Sequence, residues 1–269
     1  MRARMIFSLL VIAFLPTLAL ASTPTDEDIV AQAEDAFRQG VDNKIRILQA
    51  RKHFSKATDA YWELHRRGVR SPALLLNLGN AAVLADRWPE AIWAYHSGLR
   101  LDPNDRILRE HLEFARAKVL YLLAGQGRPD ADAWPDWLHR PTIGELSCAL
   151  GLSYLLAWLA GTCAFISRQS RLFLLASGLV LVTAIAGAGL WNELRQTEID
   201  RRTPLVVLAG NTEFYRGNGL SYPQHPVLPV LPRGLEARQL HRRGAWLQIR
   251  LTTGEVGWVP GSHVLVVEP

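Results

Sequence analysis

Cysteine is almost absent from this chain. Cys148 and Cys163 are the only two in 269 residues, and both sit inside an uncharged stretch. If that stretch is helical, 15 residues part them by roughly 22 Å at 1.5 Å per residue, too far for a disulfide. Neither belongs to a C-x-x-C pair. A disulfide scaffold and a thiolate metal site are therefore excluded, and both cysteines read as small apolar fillers. Everything outside that stretch has to hold together by packing alone.

Other chemical signatures are missing too. The eight histidines form no H-E-x-x-H and no ligand pair at i, i+4. His53, His65, His96 and His111 fall on predicted helices, His139 precedes Arg140-Pro141, and His225, His241 and His263 lie in the last segment. All read as solvated or capping groups. Asp130, Asp132 and Asp136 lack the glycine and final glutamate of a calcium loop. Glu145 reads as a carboxylate at a helix start. The expectation is a protein that is not an enzyme, with no catalytic residue, no metal and no cofactor. Nor is there a stripe of one charge for nucleic acid. The net charge of +5 comes from the N-terminus, the region between the uncharged runs and the tail, while residues 22–140 balance acids against bases.

What is present is segregation. Met1–Ala21 carries Arg2 and Arg4, an apolar core and Ala19-Leu20-Ala21, the pattern of a signal peptide. Leu146–Ser167 and Leu172–Asn192 carry no charge, and about 20 apolar residues of helix cross a bilayer. Four residues, Arg168–Arg171, join them, with two arginines and no acid, which marks a cytoplasmic loop. The pairs Ala157/Gly161 and Ala184/Ala188 predict close contact of the two helices. Trp134, Trp137 and Trp191 sit where an aromatic belt would lie.

The stretch LLLNLGNAAVLADRWPEAIWAYHSGLRLDPND, Leu74–Asp105, has small and large residues at fixed offsets. It is similar to a tetratricopeptide repeat, two antiparallel helices of a 34-residue unit. Leu75, Leu78, Gly79 and Ala82 fill the first helix, Trp88, Ala91 and Tyr95 the second, and Pro103 closes it. Gly79 and Ala91 let the helices approach. Asp86, Ala82 and Gly98 depart from the pattern and are expected to weaken packing. Phe54, Ala57, Tyr61 and Leu64 form a half-matching repeat upstream, and Ile107, Leu108, Leu112, Ala115 and Val119 a capping helix downstream. First helices line the groove of such a stack. That reading makes Ala73, Leu76, Asn77, Asn80 and Val83 the partner-binding residues, with the two asparagines offering donors and acceptors to an extended segment. It also predicts that Asn80→Ala leaves stability nearly unchanged.

The tail changes composition again. LVVLA, LEARQL, AWLQIRL and VGWVP read as short alternating strands, with a hairpin turn at Thr253-Gly254. Gly234–Pro260 resembles a bacterial SH3-like barrel. Trp246 is expected in its core. Trp258 is the candidate ligand contact.

The order of parts resembles the BatE family of the bacterial Bat aerotolerance proteins, on the strength of the Leu74–Asp105 stretch, the following RILREHLEFARAK and the tail. The architecture expected is multi-domain. Residues 1–21 form a signal peptide, 22–124 an all-α tetratricopeptide domain and 125–142 a linker and interfacial segment. Residues 143–167 and 172–192 are transmembrane helices joined by a cytoplasmic loop at 168–171. Residues 193–204 are a second linker and 205–269 a small all-β SH3-like barrel. The resemblance implies an inner-membrane scaffold with both soluble domains periplasmic. Its partners would be membrane lipid, membrane proteins bearing von Willebrand A domains and, through them, a MoxR-type AAA+ ATPase. Two other readings stay open: a cell-wall protein whose tail binds peptidoglycan, and an assembly factor for secreted or membrane enzymes.

Overall fold

A computed structural model describes residues 24–121 and 141–267. The proposed signal peptide, most of the first linker, and Trp134, Trp137 and His139 lie outside the described residues.

Five helices come first: α1 (Asp26–Asp42), α2 (Ile47–Arg66), α3 (Pro72–Leu84), α4 (Trp88–Leu101) and α5 (Arg106–Arg116). Their starts are written in the sequence. Thr25 and Asp28 form a reciprocal capping box on α1. The Ser71 hydroxyl accepts from Leu74 N at 3.1 Å, with Pro72 in the first turn. The Asp105 carboxylate accepts from the amides of Ile107 and Leu108. Each cap satisfies amides that the helix itself leaves open.

Successive helices pack as antiparallel neighbours, and glycines set the closest approaches. A Cβ on Gly79 would collide with the ring of Tyr95, and one on Gly40 would lie 2.5 Å from Phe54. On Gly98 a Cβ would meet Leu108 of α5 at 2.8 Å. Gly98 is thus not a weakened alanine position, because α5 packs directly over it. Asp86 is also corrected. It takes φ 64°, the left-handed conformation that a glycine would supply. Its carboxylate accepts from Trp88 Nε1 at 2.6 Å and faces Arg51 at 3.8 Å and Arg233 at 3.5 Å. The departure from the repeat pattern ties three parts of the chain together.

The C-terminal part is an antiparallel five-stranded sheet in the order β6-β5-β4-β1-β7, with a two-stranded β2-β3 pair beside it. The strands are β1 (Leu205–Leu208), β2 (Thr212–Glu213), β3 (Val230–Leu231), β4 (Glu236–Arg243), β5 (Trp246–Arg250), β6 (Val256–Pro260) and β7 (Val264–Val266). The turn at Thr253-Gly254 is there, with Gly254 at φ 98° and its amide bonded to Leu251 O at 3.0 Å.

All four residues of β1 are buried. In a strand, side chains alternate between faces, so a fully apolar strand must be covered twice. Val206 and Leu208 enter the core of the sheet with Phe214, Leu247, Ile249 and Val259. Leu205 and Val207 face the other way and share a core with Leu75, Leu78, Ile92, Trp93 and Tyr95 of the helices. The helical part and the sheet, expected as separate domains, are docked on a common core.

Between them lies a helical hairpin, α6 (Ile143–Ser167) and α7 (Ser170–Arg202). Both helices are long and apolar enough to cross a membrane. Ser153, Ala164, Ala176 and Ala186 are buried in their contact, and Thr183 donates to Ser153 at 3.0 Å. Ala157, Gly161 and Ala184 line an outward-facing cleft of about 700 Å3 with Tyr154 and Trp158. The cysteines are free and exposed on α6. The second linker is not a loop: α7 runs on through residues 193–202 without a break. Nothing there stops a helix, since Asn192–Arg202 contains neither glycine nor proline.

Candidate functional site: the helical face and the helix–sheet junction

The residues proposed for the groove stand on α3 as follows. Ala73 and Asn77 are exposed, and Leu76, Asn80 and Val83 are half-buried. Leu76 and Val83 pack against the helical core. Asn77 opens onto a cavity of about 170 Å3 that it lines with Glu34, Phe37 and Arg38 of α1 and Tyr61 of α2. Sequence reading missed the α1 residues because it carried no pattern for that helix beyond its start. The cavity has one carboxylate, one guanidinium, one amide and two aromatic faces. Burial, followed by the nearby Glu34 charge, raises the Tyr61 phenol above its ordinary range. Tyr61 therefore stays a neutral hydrogen-bonding group.

Asn80 is placed differently. Its side-chain oxygen accepts from Tyr95 Oη at 2.9 Å and lies 2.8 Å from His111 Nδ1. One amide oxygen has two lone pairs, and here they join α3, α4 and α5. Burial raises the Tyr95 phenol, so it remains a donor. The expectation of a harmless Asn80→Ala is revised. Removing this acceptor leaves the buried Tyr95 hydroxyl and the half-buried His111 ring without their partner, which costs about 1–3 kcal/mol. Asn77→Ala, on an exposed residue, should stay within about 0.5 kcal/mol of wild type. Urea melts of the two variants check the difference.

Leu75, Leu78, Gly79, Ala91 and Tyr95 are buried. Trp88 is half-buried and packs edge-on to Phe114 at 6.4 Å. Pro103 is half-buried in the α4–α5 turn.

The strongest polar constellation was not foreseen. Glu236 opens β4 and is fully buried. Its Oε1 accepts from Arg116 Nε at 2.7 Å and its Oε2 from Arg116 Nη2 at 2.7 Å, a two-pronged bond from α5. His96 Nε2 of α4 lies 2.8 Å from the same Oε2 and 3.1 Å from Arg116 Nη2. One ring nitrogen serves one partner, and the shorter contact to a carboxylate puts its proton toward Glu236. Burial pushes the Glu236 carboxyl up, but His96 and Arg116 outweigh it and hold the pKa at about 2. Burial works against the charge on Arg116 as well, and the bonds to Glu236 more than restore it. Nearby, Trp93 Nε1 donates to Val266 O at 2.8 Å, and the Trp62 and Trp93 rings stack at 4.2 Å. The only hint in the sequence was an acid between two apolar residues in Leu235-Glu236-Ala237.

Three of the four helical histidines are thereby occupied by structure rather than solvated. His65 is buried with its ring and carbonyl contacted by Arg70, and His96 and His111 hold the bonds just given. Among the described residues no group of three or more His, Cys, Asp or Glu could hold a metal ion.

Trp246 does not enter either core. In β5 the inward residues are Leu247 and Ile249, so alternation turns Trp246 to the outer face, where it meets Tyr215 edge-on at 5.5 Å. Trp258 lies across from Gln248 on the same face, and its backbone exchanges bonds of 2.7 and 2.9 Å with Tyr215. Both tryptophans are half-buried.

No family model, no curated protein and no solved structure matches the chain.

Proposed function

We propose that the protein is a membrane-anchored interaction scaffold of the cell envelope, in which the α1–α3 face takes a segment of a partner protein. The observation that carries it is the cavity between α1, α2 and α3, where exposed Asn77 meets Glu34 and Arg38 beside the rings of Phe37 and Tyr61. Paired donors and acceptors over an aromatic floor suit an extended backbone. The stack of helical hairpins supports a tetratricopeptide identity, with Gly79 under Tyr95 as its tightest packing. The five-stranded antiparallel sheet supports an SH3-like tail. On this reading α6 and α7 span the inner membrane, residues 168–169 turn in the cytoplasm and both other parts are periplasmic. The partners are membrane proteins with von Willebrand A domains, acting with a MoxR-type ATPase. The outward pair Trp246 and Trp258 favours a second reading, in which the tail contacts peptidoglycan.

Photo-crosslinking residues at Asn77, Lys56 and Trp258 in intact membranes test this. Adducts from Asn77 to a protein with a von Willebrand A domain, and none from exposed Lys56 on α2, support the scaffold. Muropeptides on Trp258 with no protein on Asn77 support the second reading. Equal adducts at Asn77 and Lys56 would sink the groove. Topology has its own check. A periplasm-active reporter fused after Gly125 or Pro269 should be active, and one after Gln169 silent. Activity at Gln169 reverses the orientation.

A further inference from the structure

The α1–α2 turn carries an apolar tip that stays exposed among the described residues. Ile45 is 90% exposed, Leu48 76% and Ile47 64%, with Val41 at 44%. Four aliphatic residues at one turn are too many for a solvated loop. Lys44, Arg46, Arg51 and Lys52 surround them, against one acid, Asp42, in residues 41–52. Arg51 faces Asp86 at 3.8 Å. Lys44, Arg46 and Lys52 have no ion pair among the described residues.

The place of the tip is fixed by the alternation of the helices. α1 runs toward it, α2 away, α3 toward, α4 away and α5 toward. The Arg51–Asp86 pair puts the α3–α4 turn at the same end. The Trp88–Phe114 contact puts the last turn of α5 there too. The described helical part therefore ends, at Tyr121, on the side where the tip lies. Exposed Phe114, Leu120 and Lys118 stand at that exit, with the Lys118 ammonium 5.1 Å over the Phe114 ring.

We propose that the α1–α2 tip docks on the anionic phospholipid surface of the membrane that holds α6 and α7, a proposal that rests on the spanning reading of those helices. Aliphatic side chains inserted at headgroup depth and cations paired with lipid phosphate are the two terms of interfacial binding. A protruding turn has too little area for a stable protein interface, whereas aliphatic side chains beside unpaired cations match an anionic lipid surface. Docking lays the end of the stack on the membrane and sets the height and tilt of the α1–α3 face.

The test uses the full chain with Cys148→Ala and Cys163→Ala, reconstituted in vesicles. A nitrobenzoxadiazole label is placed at Ile45→Cys, at Leu155→Cys on α6, and at Glu27→Cys at the far end of α1. In phosphatidylcholine vesicles containing phosphatidylglycerol, the label at 45 should shift to the blue and be quenched by spin-labelled acyl chains. The label at 27 should report water. In pure phosphatidylcholine the signal at 45 should fall. Each of Lys44→Gln, Arg46→Gln and Lys52→Gln should weaken docking about fivefold, with helicity unchanged. A label at 155 quenched while that at 45 stays in water overturns the docking alone. No quenching at 155 overturns the spanning reading and the docking with it. A shift at 45 that vanishes on diluting the protein in lipid assigns the tip to a second copy and overturns the proposal.

Discussion

Glu236→Gln should cost the docked helices and sheet about 3–5 kcal/mol, because it leaves the buried Arg116 guanidinium without its two-pronged counter-charge. Arg116 keeps only the half-exposed Glu113 carboxylate at 2.8 Å. The loss should appear first at the helix–sheet junction. Trp93 donates to Val266 there, so its fluorescence should change before the helical signal does. Replacing both partners with apolar residues, Glu236→Leu with Arg116→Met, should recover much of the loss, since it removes both desolvation costs. If Glu236→Gln melts like wild type, the triad does not hold the parts together.

The same group predicts an acid response. The folded pKa of Glu236 is depressed from the ordinary 4.5 to about 2. A depressed carboxyl contributes stability that is whole above its unfolded pKa and is lost as pH falls toward its folded one. The junction should therefore loosen between pH 4.5 and about 2, and the loosening should be reduced in the Glu236→Leu, Arg116→Met pair. An acid midpoint unchanged in that pair would assign the transition elsewhere.

Gly79→Leu is the second large effect. A Cβ alone would strike the Tyr95 ring, and that ring is among the most buried in the molecule. Overpacking typically costs 1–3 kcal/mol, and here the displaced ring also loses its bond to Asn80. The expected result is loss of cooperative melting of α3–α5, read by circular dichroism. Tyr95→Phe keeps the packing and removes only the bond, and should cost about 1 kcal/mol. Near-equal stability of Gly79→Leu and wild type would mean that α3 and α4 are not in contact along this line.

Local features were legible because they depend on neighbours in sequence. Ser71-Pro72 and Asp105 announced helix starts by side chains that cap their own amides. The offset of Gly79 and Tyr95 announced the α3–α4 contact, since helical period fixes which residues meet. Uncharged length announced α6 and α7. The turn at Thr253-Gly254 needed only a glycine with positive φ. Trp246 was misplaced because an aromatic at the start of an alternating strand has two possible faces, and only Leu247 and Ile249 show which one is inside.

The sequence by itself determined the helices, the two long apolar stretches and four strands of the tail, since periodicity, caps and hydropathy are properties of short segments. Tertiary structure decided what those segments face. Asn80 became a joint between three helices because Tyr95 and His111 arrive from elsewhere in the chain. Asp86 became a tie because Arg233 reaches it across a separation that no local pattern spans. Glu236, an acid in an apolar strand, found its charge partners 120 and 140 residues away. The burial of LVVL on both faces was decided the same way: alternation gives each residue a side, and only the docked helices supply the second surface that makes both sides interior.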